Sequence, residues 1–277
     1  MPTLIDAPTS IFALDEEARR RIELIVDQHA EDPVDSPFSE AQQSLLSHIL
    51  DHSWTPPPVN VQSAEPRKFW AAANVGIFAS AAEFLVPDNF VALGMESPSD
   101  EKDTKAFYLA DHDPPVVAFE VVSNRVGNEM ASKLEIYARW GIKYYIVYDR
   151  WNRLRGDAVY IFALQHGKYV RTSDGYMPEL GLGVKIWRGV YAHRRATYLR
   201  WCDSSGDLLL TADEDRKRQA ETIRQKDEDL RRATEEARRH AEEARRNAEE
   251  ARRNGEERDR LAALLRELGI NPAGGTK

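Results

Sequence analysis

Apolar positions recur at helical spacing early in the chain, then give way to short continuous runs. Leu14, Ala18, Ile22, Ile25 and Val26 share one helical face, and Asp15, Glu16 and Glu17 lie in its first turn, where the helix dipole favours acids. Pro33 and Pro37 make Asp32–Ser39 a connection. Ser39 is placed to cap a helix from Glu40 to Asp51 with Leu45, Leu46, Ile49 and Leu50 as its apolar face. Thr55–Pro58 ends it, because three consecutive prolines cannot continue a helix.

From Phe69 to Glu83 the pattern supports two readings. Alanines 71–73, 79, 81 and 82 suit a helix, whereas Val75, Ile77 and Phe78 around Gly76 suit a strand. Apolar runs at Phe84–Val86 and Phe90–Leu93 flank Pro87–Asp88, and polar Glu96–Lys105 is a loop. Val116–Val122 is a continuous apolar run broken only by Glu120, the pattern of a strand buried on both faces. After a turn at Ser123–Gly127, the spacing predicts a helix over Glu129–Trp140 with Gly141 just past its end. Tyr144–Tyr148, closed by Asp149, completes a βαβ unit. Further short strands are expected at Ala158–Leu164, Gly167–Val170 and Val184–Trp187, with Gly167 in a hairpin turn.

The C-terminal part has another period. Ala237, Ala241, Ala244, Ala248 and Ala251 follow 4-3-4-3 spacing within repeats of Glu-Glu-Ala-Arg-Arg-Asn/His-Ala. Glu242 and Glu249 stand four residues before Arg246 and Arg253, the favourable order for helical ion pairs. A seam of alanines buries little, so a coiled coil built on it is weak; Leu261, Leu264, Leu265 and Leu268 add apolar weight before Gly269. The expected organisation is a helical extension over 1–60, an α/β domain over 61–210 and a charged helix over 211–277.

Composition separates the same parts. Residues 211–268 hold 16 Lys/Arg and 17 Asp/Glu, so they are charged but nearly neutral, and the net −8 belongs to the preceding body. That sign alone argues against nonspecific nucleic-acid binding. A single cysteine, Cys202, excludes a disulfide framework and a cysteine-based zinc site. No basic-then-apolar leader and no run of 18 apolar residues occur, so a soluble, cytoplasmic protein without a membrane partner is expected. The seven histidines show no ligand spacing, and no glycine-rich phosphate loop is present.

Two carboxylates lie where burial is expected: Asp88 between apolar runs and Glu120 inside one. A carboxylate in a central strand costs several kcal/mol unless it is paired, hydrogen-bonded or bound to metal. With Lys133 on the next helix they form a set suited to metal-assisted phosphodiester hydrolysis. Hard oxygens hold Mg²⁺ or Mn²⁺, the cation activates water, and the lysine offsets developing charge. Each residue also has a plainer reading. Asp88 suits a turn, Glu120 can pair with Arg125 or Lys133, Ser123 can cap the helix, and Tyr137 suits the core.

The order acid, acid, lysine around a βαβ core is that of the PD-(D/E)XK nucleases, although Val122 stands two after Glu120, where their usual Glu-X-Lys has lysine. The chain resembles the Uma2 family of restriction-endonuclease-like proteins. The resemblance rests on Phe84-Leu85-Val86-Pro87-Asp88, Glu120-Val121-Val122-Ser123, Glu129 with Lys133, Tyr137, Gly141-Ile142 and Tyr144-Tyr145-Ile146-Val147-Tyr148-Asp149. Gly167-Lys168-Tyr169, Arg200-Trp201 with Gly206, and the Glu/Arg/Ala tail extend it over roughly residues 70–270. It departs at Asn124, where the family often has proline, and in a shorter region before Asp88. It implies an α/β, restriction-endonuclease-like mixed sheet flanked by helices, with a long C-terminal helix or coiled coil. It also implies Asp88 and Glu120 as metal ligands, Lys133 as a third catalytic residue, DNA as the substrate and homodimerisation through the tail.

Charge is also split within the body. Residues 1–124 hold 7 Lys/Arg against 21 Asp/Glu, and residues 125–201 hold 14 against 6. Lys133, Lys143, Arg150, Arg153, Arg155, Arg194 and Arg195, interleaved with Trp151 and Trp187, suit a phosphate backbone. They equally suit an internal offset to the acidic half. The rival to a nuclease is a binding scaffold on the same fold.

Overall fold

Asp15 caps the first helix, α1 (Glu16–Gln28), its Oδ1 accepting the Ala18 N–H at 2.7 Å. The computed structural model describes residues 14–28, 36–58, 66–98, 106–122 and 130–268. The expected features at 29–35, 99–105 and 123–129, including the cap Ser123, the turn Ser123–Gly127 and Glu129, lie outside the described residues. Helix α2 (Pro37–Ser53) begins three residues before the expected Glu40. Ser36 is its cap, accepting the Ser39 N–H at 3.2 Å, and Pro37 sits in the first turn, where a missing N–H costs nothing.

The segment that supported two readings is extended. Strand β1 (Phe69–Ala73) is followed by β2 (Gly76–Ser80) and β3 (Glu83–Leu85), then by β4 (Asn89–Leu93), β5 (Ala106–Tyr108) and β6 (Val117–Val121). Helix α3 (Ser132–Trp140) ends on Gly141 at φ +80° and leads into β7 (Tyr144–Tyr148). Then come β8 (Val159–Gln165), β9 (Lys168–Thr172), β10 (Gly183–Tyr191) and β11 (Arg194–Cys202). The β10–β11 hairpin is longer than the single short strand expected at Val184–Trp187.

The main sheet has the order β1-β4-β6-β7-β8-β9, antiparallel except for the parallel β6–β7 pair joined through α3. Its strands are covered on both faces. Val91, Phe119, Ile146 and Ile161 point into a core with Leu45, Leu46 and Ile49 of α2 and with Leu199 and Trp201 of β11. Phe90, Ala118, Tyr145, Val147 and Phe162 point into a second core with Tyr137 and Trp140 of α3. Two-sided burial explains the continuous apolar runs of β6 and β7. A small sheet, β3-β2-β5, adds Ile77, Ala79 and Phe107 to the second core.

Residues 1–214 form one compact unit and residues 215–277 another. In the first, Arg200 is 1% exposed and makes a two-pronged pair with Glu214 at 2.9 and 2.7 Å. Thr211 and Glu214 cap each other: Thr211 Oγ1 accepts the Glu214 N–H, and Glu214 Oε2 accepts the Thr211 N–H. They open α4 (Ala212–Glu267), 56 residues with none buried. At 1.5 Å per residue it is about 84 Å long. Its i,i+4 pairs include Arg245–Glu249 and Arg252–Glu256, and the expected Glu242–Arg246 and Glu249–Arg253 pairs do not form among the described residues. Each arginine has glutamates on both sides, and exposed pairs contribute so little that the choice is nearly neutral. No described helix is long and apolar enough to cross a membrane.

Candidate active site

Because β4 and β6 are antiparallel, the start of one meets the end of the other. Asn89 pairs with Phe119, which sets Asp88 beside the Glu120 end of β6. The N–H of Val121 donates to Oδ2 of Asp88, and Gln43 of α2 donates Nε2 to Oδ1 at 2.7 Å. The Gln43 carbonyl oxygen Oε1 accepts Asn74 Nδ2 at 2.7 Å, from the β1–β2 turn where Asn74 has φ +54°. Asn89 is buried and donates to Ser47 Oγ at 3.0 Å, tying the same strand start to α2. A short polar network therefore fixes Asp88 from three elements.

Glu120 is 4% exposed. Its Oε1 accepts the Tyr137 hydroxyl at 2.9 Å, and its Oε2 pairs with Lys133 Nζ at 2.8 Å. Lys133 and Tyr137 are four residues apart on α3 and so share one helical face. Lys133 is partly buried rather than turned to solvent. Burial is the strongest influence on Glu120; Lys133 opposes it and neighbouring Asp88 reinforces it, leaving the carboxyl pushed up to about 8. Burial and the Glu120 charge hold the Tyr137 phenol well above its ordinary value, so it acts as a hydrogen-bond donor at physiological pH.

Asp88, Glu120 and Lys133 are thus brought together at the carboxyl end of β6. The described residues contain no group of three or more His, Cys, Asp or Glu able to hold a metal. Two adjacent carboxylates are nevertheless a sufficient protein contribution for Mg²⁺, which commonly takes one or two and completes its shell with water and phosphate oxygens. A cation there answers both the burial of Glu120 and its repulsion from Asp88, so the donor set fits.

A family model described as Uma2, putative restriction endonuclease, matches residues 8–183, well over half of the chain. The chain belongs to the Uma2 family. No curated protein and no solved structure matches it.

Three participants in this Uma2 site escaped the sequence reading. Tyr137 suits the core and is indeed buried there, but its hydroxyl serves Glu120. Gln43 is buried on α2 between Asp88 and Asn74, and its residue type alone gave no signal. Asn74 is marked only by its left-handed turn position. Asp149 ends β7 as expected, and its carboxylate accepts the N–H groups of Arg153 and Leu154 at 2.9 and 2.6 Å.

Proposed function

We propose that this Uma2 protein is a cytoplasmic, divalent-cation-dependent endonuclease that hydrolyses DNA phosphodiester bonds. Asp88 and Glu120 would hold Mg²⁺ or Mn²⁺, with Lys133 in the same site. The supporting observation is the convergence of these three side chains, within a family described by restriction endonuclease chemistry. When bound, the cation supplies Lewis acidity at the phosphoryl group and acidifies a water.

The chain's own residues supply positioning and charge. Gln43 and the Val121 N–H hold the Asp88 carboxylate in place, and Tyr137 holds Glu120. Such fixed dipoles need no reorganisation when the reaction occurs. Lys133 carries positive charge to the point where negative charge grows on the phosphoryl oxygens. We further propose that α4 pairs two copies, giving one site for each strand of a duplex.

A catalytically inactive binding scaffold is the second reading. Val122 occupies the position of the usual lysine, and both oxygens of Asp88 and of Glu120 already have protein partners. Plasmid cleavage in Mg²⁺ and in Mn²⁺, comparing wild type with Glu120→Ala, separates the two. Cleavage by wild type alone is expected. Equal cleavage by both removes Glu120 from the mechanism, and intact DNA binding with no cleavage by wild type favours the scaffold.

A further inference from the structure

From Leu180 to Cys202 the chain contains Lys185, Arg188, Arg194, Arg195 and Arg200 and no acidic residue. These residues build the β10–β11 hairpin, which forms its own two-stranded sheet. Arg200 is consumed by Glu214, and Lys185 donates to the Gly206 carbonyl. Arg188, Arg194 and Arg195 are exposed and make no salt bridge among the described residues. The ribbon itself contributes no acidic residue, and the acid that acts on its tip is Asp213, which reaches Tyr191.

The hairpin is tied to the carboxyl end of the parallel strands. The Tyr148 hydroxyl at the end of β7 donates to the Thr197 carbonyl at 2.9 Å. Phe38 stacks on Tyr198 with ring centroids 5.5 Å apart, and the Tyr198 hydroxyl donates to the Arg194 carbonyl at 3.2 Å. The Arg150 guanidinium lies 4.0 Å above the same Phe38 ring and 4.4 Å from Trp151. Arg150 likewise makes no salt bridge among the described residues. A chain of contacts therefore runs from Trp151 through Arg150, Phe38 and the buried Tyr198 to the backbone of Arg194, and the charges of Arg150 and Arg194 both reach the Tyr198 hydroxyl. It starts one strand from the candidate site, since the Val122 N–H donates to the Tyr148 carbonyl at 3.0 Å.

Trp151 is 58% exposed. An exposed indole beside the Arg150 guanidinium, with the exposed Arg194 side chain on the adjoining hairpin, matches one ligand chemistry closely. Arginines track phosphates, and a flat aromatic ring stacks on a base that is not already stacked in a duplex. A protein partner of acidic character would satisfy the arginines but would give no reason for a single indole beside them.

We propose that Arg150, Trp151 and Arg194 form a nucleic-acid contact surface in which the arginines hold the phosphate backbone and Trp151 stacks on one unpaired base. The surface therefore favours single-stranded or locally opened DNA over a closed duplex. This rests on the reading of the protein as acting on DNA, but it requires no cleavage.

Binding of a labelled 20-nucleotide single strand, and of the same sequence as a blunt duplex, is measured by fluorescence anisotropy with the full chain in EDTA. Wild type is expected to bind the single strand more tightly. Trp151→Ala is expected to lose about tenfold on the single strand and little on the duplex. Trp151→Phe retains most of the affinity. Arg150→Gln with Arg194→Gln is expected to weaken both ligands and to lower the salt slope by roughly two phosphate contacts. Thermal melting of each variant identifies any loss due to misfolding, and the Phe variant carries the stacking test if the Ala variant melts early. No wild-type binding in EDTA, equal effects of Trp151→Ala on both ligands, or an unchanged salt slope would each overturn the proposal. Normal binding with no cleavage in Mg²⁺ overturns the nuclease reading alone.

Discussion

The hydroxyl of Tyr137 donates to Oε1 of Glu120 at 2.9 Å, and both side chains are buried. Removing the donor leaves a buried carboxyl oxygen with no partner. Tyr137→Phe is expected to cost about 2 kcal/mol of stability, the usual range for leaving a buried acceptor unsatisfied, read from urea denaturation. If cleavage is found, its rate should fall too, because Glu120 loses the contact that orients it.

Lys133→Met tests the other oxygen. The methionine keeps the aliphatic stem and removes the ammonium group paired with Glu120 at 2.8 Å. The expected loss in cleavage rate is about 100-fold, comparable to the loss of one electrostatic donor at a reacting centre. DNA affinity measured in EDTA should change by much less. An equal loss in both would assign Lys133 to substrate binding instead.

Arg200 and Glu214 form a pH-sensitive pair outside the candidate site. Burial raises the Glu214 carboxyl, but hydrogen bonds from Arg200 and Thr211 outweigh it and leave the carboxyl below its ordinary value. A depressed folded pKa means that stability is fully present above about pH 4.5 and is lost as pH falls through the folded value. Glu214→Gln is therefore expected to flatten the acid limb of a stability–pH curve. Near neutrality it should cost about 1.5 kcal/mol, because Arg200 keeps a neutral acceptor and the Leu209 carbonyl but loses its charged partner.

The tip of the β10–β11 hairpin carries local strain. Ala192 and His193 adopt φ +46° and +62°, a two-residue turn for which Asn-Gly is the usual chemistry. Left-handed backbone costs a residue with a Cβ roughly 1–2 kcal/mol. Ala192→Asn with His193→Gly is expected to raise stability by about 1 kcal/mol in thermal or urea denaturation, leaving Arg194 in place.

The β6–α3–β7 unit was legible because burial on both faces leaves unmistakable apolar runs, and Gly141 punctuates the helix end. The nearness of Asp88 and Glu120 was legible for the related reason that charge in or beside such runs is costly, and Lys133 stood out only by following them on the next helix. The alanines of β1 were not, since Ala71–Ala73 have high helix propensity and no visible period. Tertiary packing decided them: Trp70 and Ala72 face one core while Phe69 and Ala71 face the other. Gln43 was hidden because a glutamine on a helix is ordinarily a solvent-facing residue, and only its enclosure beside Asp88 gives it a role.

The block Glu-Glu-Ala-Arg-Arg-Asn/His-Ala recurs three times over residues 235–255 of α4, with Gly255 closing the last copy. Seven residues of helix advance about 10 Å, and the face presented after that step is nearly the one before it. Over that stretch the helix therefore presents the same charged face three times, and only the leucines at 261, 264 and 265 break the equivalence farther on.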